Sequence, residues 1–181
     1  MTMNKGFTIW LTGLSGAGKS TLAIEIEKFI KEQGKPVQVL DGDIIRNEVG
    51  NLFGYTREDR QKMGRVVRTI AKLLNDNGIN VIVAAIAAYE EMRVANRDKI
   101  DNYIEVYVNC SIDTCIERDV KGLYKKALRG EAKHVVGIDD VYEVPEHFDI
   151  EVKTDIETVE ESGKRIKDFI LKHYIRNEIT T

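Results

Sequence analysis

A glycine-rich segment near the start of the chain has the residue types and spacing of a site for nucleotide phosphates. Residues 13–20 read GLSGAGKS, which matches the pattern G-x-x-x-x-G-K-[ST]. Glycines let backbone N–H groups approach phosphate oxygens, and a helix that begins at the loop points its positive end at the same anion. In this pattern Lys19 reaches the β- and γ-phosphates, and the Ser20 hydroxyl ligates Mg²⁺. The segment therefore predicts binding of a nucleoside triphosphate together with Mg²⁺.

The predicted contacts to the nucleotide come from this loop and from the first turn of the helix after it. They are Gly13, Ser15, Gly16, Ala17, Gly18, Lys19, Ser20 and Thr21, with Ser20 as the metal ligand. A glycine-rich turn without a ligand is the alternative, but a strand pattern precedes the loop and a helical pattern follows it, as the motif requires. The chain lacks an N-K-x-D motif for reading guanine and is short for a motor or a transporter ATPase. These features favour a kinase of small molecules.

A second group of polar residues follows the next apolar run, in the segment LDGDIIR. Asp41 and Asp43 are expected at the carboxyl edge of a parallel sheet, where ligands bind, on a strand beside the one that feeds the phosphate loop. One carboxylate can accept the proton of an attacking hydroxyl, and the other can hold Mg²⁺ through water. An Asp-Gly turn that caps a helix is the structural alternative, and Arg46, three residues past Asp43, favours the binding role.

Strand patterns alternate with helical patterns along the rest of the chain. Apolar runs that predict buried strands occupy residues 7–11, 37–40, 81–85, 103–108 and 150–152. Helical patterns occupy residues 20–33, 58–77, 90–100, 112–119 and 158–174. This alternation predicts an α/β fold with a five-stranded parallel sheet that is covered by helices on both faces.

One stretch interrupts the alternation of strands and helices. Residues 120–145 carry five Lys or Arg residues and three glycines without a strand pattern, which predicts a lid within a single domain over residues 1–181.

The composition of the chain argues against several classes of partner and location. A net charge of -3 argues against nucleic acid and anionic membranes as partners. Neither a membrane-spanning run nor a secretory signal is evident, so we expect a soluble cytoplasmic protein. Cys110 and Cys115 have a spacing that is poor for zinc.

Six motifs in order and spacing resemble the adenylylsulfate kinase family. They are GLSGAGKST (13–21), LDGDIIR (40–46), GYTREDR (54–60), DVKGLYKKA (119–127), GID (137–139) and YEVPE (142–146). The resemblance implies a three-layer P-loop NTPase fold in which ATP phosphorylates the 3′-hydroxyl of adenosine 5′-phosphosulfate (APS). The product of that reaction is 3′-phosphoadenosine 5′-phosphosulfate, the activated form of sulfate. Dimers are common in the family, so a homodimer is possible.

The resemblance also implies roles for individual residues. Asp41 would be the catalytic carboxylate, supported by Asp43, while Lys19 stabilises the transferred phosphoryl group. Arg46 and Arg60 would bind the phosphate–sulfate end of the substrate, because guanidinium groups suit oxyanions. Substrate contacts would further include Asp43, Tyr55 stacked on the base, and the lid residues Lys121, Leu123, Tyr124 and Lys125. Arg118 would face the base of ATP.

Some positions depart from the family pattern and leave the acceptor open. Ala87, Ala88 and Glu90 stand where the family has Ser, Pro and Arg, Met63 stands in place of Asn, and Val135 replaces a Phe that would sandwich the base. An alternative is therefore a kinase of the same fold that phosphorylates the ribose hydroxyl of another 5′-modified nucleotide, such as cytidine diphosphoramidate. A third hypothesis is an ATP-binding module with a degenerate acceptor site.

Overall fold

The computed structural model describes residues 5–50 and 52–175. The strands are β1 (Thr8–Thr12), β2 (Val37–Asp41), β3 (Asn80–Ala84), β4 (Tyr103–Asn109) and β5 (Ile150–Lys153). The helices are α1 (Lys19–Glu32), α2 (Gly42–Glu48), α3 (Arg57–Asp76), α4 (Glu90–Lys99), α5 (Ile112–Arg118), α6 (Leu123–Leu128) and α7 (Val159–Ile170), which continues into a π-helical turn (Leu171–Ile175). None of these helices combines the length and apolar character that a membrane crossing requires.

The five strands form one parallel sheet in the order β2-β3-β1-β4-β5, which confirms the predicted fold class. The expectation that β2 lies beside β1 is wrong, because β3 is inserted between them. β1 and β3 are both buried throughout, whereas β2 is only partly buried at the edge of the sheet, and apolar patterns alone do not specify which strands are adjacent. The carboxyl ends of β1, β2 and β3 still meet at one edge of the sheet.

Side chains from the two faces of the sheet build two apolar clusters. In β1, Ile9 and Leu11 point to the cluster that includes Ile26 of α1. Trp10 points to the opposite face, where it packs in a cluster with Met63 of α3. This alternation follows from the two-residue period of a strand. The sheet therefore has helices on both faces, as the sequence predicted.

All ten predicted elements are present with boundaries that differ by a few residues, and the short helices α2 and α6 were not predicted. Asp41 is the N-cap of α2, and its side chain accepts hydrogen bonds from the backbone N–H groups of Asp43 and Ile44. At the start of α6, Asp119 accepts hydrogen bonds from the N–H groups of Tyr124 and Lys125. Helices of six or seven residues are too short to establish a recognisable apolar period, so capping alone marks them.

Candidate active site

The phosphate loop connects β1 to α1 and takes a shape that needs glycine. Gly16 and Gly18 have φ angles of +79° and +95°, in the left-handed region that side chains disfavour. The Lys19 ammonium folds back over the loop and donates to the carbonyl oxygens of Gly13 and Leu14, at 2.8 and 2.6 Å. Burial, together with the nearby positive charge of Lys121, lowers the pKa of Lys19 to about 8. The loop therefore holds a desolvated cation at its centre.

A buried tyrosine supports the loop from behind. Tyr124 is 1% exposed, and its hydroxyl donates to the carbonyl oxygen of Ser15 at 2.9 Å. The Tyr124 ring is packed in the core and is outside the cavity lining, so its predicted contact with the substrate stays a prediction that this position does not support. Of the other α6 residues, Leu123 lines the cavity in front of the loop, whereas the predicted Lys125 does not and the following residue, Lys126, does.

Two further residues fasten the loop to the end of β5. The Arg118 guanidinium donates to the carbonyl oxygens of Gly16 and Thr154, at 3.3 and 2.6 Å. The Thr154 hydroxyl in turn donates to the carbonyl oxygen of Ala17 at 2.7 Å. Thr154 and its neighbours Glu157 and Thr158 border the cavity at the nucleotide end and were not predicted, because no motif marks the β5–α7 connection.

Asp41 lies at the junction of the phosphate loop and the acceptor side. Its Oδ2 accepts a hydrogen bond from the Ser20 hydroxyl at 3.0 Å, and its Oδ1 accepts from the N–H of Asp43 at 2.9 Å. Asp41 is thus a helix cap, as the structural alternative proposed, and is also joined to the phosphate loop. Asp43 is ion-paired with Lys121 across the cleft.

The fit of Mg²⁺ to this site can be judged from the donor set. Ser20 and Asp41 present a hydroxyl and a carboxylate oxygen 3.0 Å apart, and hard oxygen donors of this kind suit Mg²⁺. Within residues 5–50 and 52–175, no cluster of three or more His, Cys, Asp or Glu side chains could hold a metal ion. The residues therefore fit an ion that is shared with substrate phosphates and water rather than enclosed by protein ligands.

Two arginines and a tyrosine form the acceptor end of the site. Arg46 is 7% exposed and donates to the carbonyl oxygens of Phe53 and Gly54, at 2.7 and 2.6 Å. Its guanidinium carbon lies 4.6 Å from the centre of the Tyr55 ring, and that of Arg60 lies 5.5 Å from the same centre. The Tyr55 ring therefore makes cation–π contacts with both arginines.

Arg60 also joins the acceptor end to the segment 120–145. Its Nη2 donates to the carbonyl oxygen of His134 at 2.7 Å, and its Nε lies 3.6 Å from Oδ2 of Asp140. Burial lowers the pKa of Arg60, although Tyr89 and Asp140 oppose the shift. His134, a residue of the predicted lid that is not among the predicted site residues, borders the cavity next to Val135.

One cavity of about 770 Å³ connects the two ends. The predicted site residues that line it are Ser15, Gly16, Gly18, Lys19, Ser20, Thr21, Asp41, Asp43, Arg46, Tyr55, Arg60, Arg118, Lys121 and Leu123. The positions that depart from the family pattern, Met63, Ala87, Ala88 and Val135, form part of its apolar wall. The predicted residues Gly13, Ala17, Tyr124 and Lys125 are outside the lining. A cavity of this size accommodates ligands that span from the phosphate loop to the arginines.

Comparisons with known proteins agree with this arrangement. Residues 5–153 match the family model of adenylylsulphate kinase. An adenylyl-sulfate kinase of Rippkaea orientalis is 49% identical over 162 residues, or 90% of each chain. Another, from Halothermothrix orenii, is 46% identical over 170 residues, which cover 94% of this chain and 92% of the relative.

Solved structures support the same family and the P-loop NTPase fold. The structure of the Mycobacterium tuberculosis APS kinase in complex with AMPPNP and APS matches with a TM-score of 0.87 and 36% identity, over 92% of this chain and 98% of that chain. A gluconokinase from Sinorhizobium meliloti shares the fold alone, with a TM-score of 0.58 and 15% identity. The match of the family model and of these relatives over most of their length shows that this chain belongs to the adenylylsulfate kinase family.

Proposed function

We propose that this chain is an ATP-dependent kinase that transfers the γ-phosphoryl group of ATP to the 3′-hydroxyl of APS. The observation that carries the proposal is the single cavity in which the phosphate loop, Asp41 and two arginines meet. Phosphoryl transfer requires the donor phosphate and the acceptor hydroxyl to be in line, and one shared cavity provides this proximity. The family membership supplies the identity of the two nucleotides.

At the donor end, the loop binds the phosphates of ATP. Lys19 exchanges its hydrogen bonds to the carbonyls of Gly13 and Leu14 for bonds to phosphate oxygens, where its positive charge stabilises the transition state. When bound, Mg²⁺ offsets the negative charge of the β- and γ-phosphates, and Ser20 and Asp41 are the residues that would hold it. Arg118, already bonded to the loop, is proposed to border the base of ATP.

At the acceptor end, Asp41 orients the attacking hydroxyl and accepts its proton. Asp43 supports Asp41 through its backbone N–H, which donates to Oδ1 of Asp41. Arg46 and Arg60 bind the phosphate and sulfate groups of APS, whose oxyanions match the guanidinium geometry. Tyr55, which already packs against both arginines, offers its ring to the adenine base.

Residues 120–145 are proposed to act as a lid over both nucleotides. Lys121 and Leu123 contribute to the cavity wall, and Lys126 replaces Lys125 in this role. Closing such a segment excludes water, which would otherwise hydrolyse ATP. The single domain over residues 1–181 and the homodimer stay predictions.

The decisive experiment measures ADP release by purified enzyme with Mg-ATP and APS, with mass spectrometry to locate the new phosphate on the 3′-oxygen. We expect ADP release that depends on APS. Cytidine diphosphoramidate and other 5′-modified nucleotides form the control panel, because the family match does not favour the alternative acceptor. Asp41→Asn should abolish turnover while ATP binding persists. Absence of APS turnover by wild-type enzyme would refute the proposal.

A further inference from the structure

The turn that follows β3 has a backbone conformation that its sequence does not favour. Ala87 has a φ of +44°, in the left-handed region that is costly for residues with a Cβ atom. The residue is 4% exposed and packs with Met63 and Val67 in the smaller apolar cluster. Because Ala87 also borders the cavity, the shape of the acceptor wall depends on this strained turn.

Three consecutive carbonyl groups of the turn are each held by a different part of the protein. The carbonyl oxygen of Ile86 accepts from the hydroxyl of Thr12 in β1. The carbonyl oxygen of Ala87 accepts from Nη1 of Arg93 at 2.9 Å, and that of Ala88 accepts from the N–H of Glu143 at 2.9 Å. Of these donors, only Arg93 reaches the left-handed residue itself.

Arg93 is a fully buried cation with two carboxylate partners. Its Nε donates to Oε2 of Glu90 at 2.9 Å and lies 3.7 Å from Oε1 of Glu105, whose side chain is also fully buried. Arg97 donates to the other oxygen of Glu105 at 2.9 Å. A buried guanidinium requires such pairing, and its planar fork can serve several acceptors in fixed directions.

Glu90 makes this arrangement particular to the present chain. The family pattern places an arginine at this position, which would set a second positive charge beside Arg93. Here the carboxylate orients the Arg93 fork, so that Nη1 is left to bond the Ala87 carbonyl. The charge reversal at Glu90 and the loss of a serine at Ala87 therefore occur in one connected unit.

We propose that Arg93, oriented by Glu90, is a positioning residue that holds the Ala87 turn and so shapes the acceptor end of the cavity. It touches neither nucleotide and acts through the Ala87 carbonyl. The inference rests on the proposed function for the choice of acceptor, APS. Its consequence is that Arg93 affects recognition of the acceptor and leaves recognition of ATP unchanged.

The first test replaces Arg93 with lysine, which keeps the positive charge and loses the fork. We expect the KM for APS to rise about tenfold and the KM for ATP to change less than about twofold, because the turn borders the acceptor end. Arg97→Lys is the matched control, since Arg97 pairs with Glu105 without contacting the turn. In this variant the KM values for APS and for ATP should both equal those of the wild type. Equal rises in both KM values for Arg93→Lys, or no rise in either, would overturn the inference.

The second test is a rescue at the strained residue. Glycine adopts a positive φ without the penalty that a Cβ atom brings. We therefore expect Ala87→Gly, added to Arg93→Lys, to restore part of the affinity for APS. A double variant with the same KM for APS as Arg93→Lys would contradict the proposed link between the two residues.

The third test needs no acceptor and separates the inference from the proposed function. Hydrogen–deuterium exchange of Arg93→Lys without nucleotides should quicken in residues 84–90 and stay unchanged in residues 13–20. Unchanged exchange in residues 84–90 overturns the inference alone, whereas a wild-type enzyme that does not phosphorylate APS overturns the proposed function alone. If Arg93→Lys does not fold, Glu90→Gln takes its place in all three tests, because the partly exposed Glu90 is the safer site to change.

Discussion

The donor and acceptor ends of the cavity are built in different ways. The phosphate loop is a short continuous segment whose shape follows from its own glycines, and its cation bonds to carbonyls five and six residues away. The acceptor end gathers Arg46, Arg60 and the Ala87 turn from separate elements, and Arg60 and the turn make contacts to His134 and Thr12 that lie 74 residues away in sequence. Chemistry that every kinase of this fold shares is encoded locally, whereas recognition of the acceptor depends on tertiary packing. Substitutions should therefore separate effects on ATP from effects on the acceptor.

The largest effect is expected from Lys19→Met, which removes the central cation of the donor end. Loss of one preorganised charge at the transferred phosphoryl group should lower kcat about 10³-fold. Steady-state kinetics with saturating APS measure the loss, and the KM for APS should stay within about twofold of wild type. A comparable rise in that KM would show that the two ends are not independent.

The next effect is expected from Arg60→Lys at the acceptor end. Lysine cannot bond the backbone of Tyr55 and His134 and also present a fork to an oxyanion, so kcat/KM for APS should fall about 10²-fold. The KM for ATP serves as the internal control and should be unchanged. Equal increases in the KM for APS and the KM for ATP would contradict the idea that the donor and acceptor ends act independently.

A third prediction concerns the buried carboxylate behind the acceptor end. Burial raises the pKa of Glu105 to about 7 from its ordinary 4.5, although Arg97 and Arg93 oppose the shift. Between these values the folded state binds the proton more strongly than the unfolded state. This group's contribution to the free energy of unfolding is therefore complete below pH 4.5 and is lost as pH rises towards 7, at up to about 1.4 kcal/mol per pH unit.

Urea denaturation of wild type and Glu105→Gln over pH 5 to 8 measures that dependence. Glutamine does not titrate, so the difference between the two proteins should vary with pH below 7 and level off above it. A difference that is constant over the whole range would show that Glu105 does not titrate in this window.

The smallest effect is expected from Tyr124→Phe, which removes one hydrogen bond to the phosphate loop. A bond of this kind is worth about 1 kcal/mol, so the KM for ATP should rise about fivefold. The KM for APS should be unchanged, because Tyr124 lies behind the donor end. An effect on the KM for APS alone would instead support the prediction that this tyrosine contacts the substrate.

The difference between locally encoded features and features that depend on tertiary packing also explains how much of the structure could be predicted from the sequence. The residues of the phosphate loop and the five strands were predictable, since local motifs and apolar patterns encode them. The burial of Tyr124, the insertion of β3 between β2 and β1 and the position of Thr154 were not, because each depends on partners far away in the chain. Ala87 illustrates the limit, since its left-handed backbone goes against its own preference and the carbonyls on either side of it are held by the distant residues Thr12 and Glu143.

The ion pair between Asp43 and Lys121 has a consequence for how nucleotides enter. The two side chains are 59% and 54% exposed and belong to opposite sides of the cleft. Exposed pairs of this kind contribute at most about 1 kcal/mol, so this pair would change the ratio of a closed to an open lid by no more than about fivefold. Salt screens such a pair, and ionic strength should therefore shift the free enzyme towards the open form. Lys121 of the proposed lid would therefore be held to Asp43 less firmly at high ionic strength than at low ionic strength.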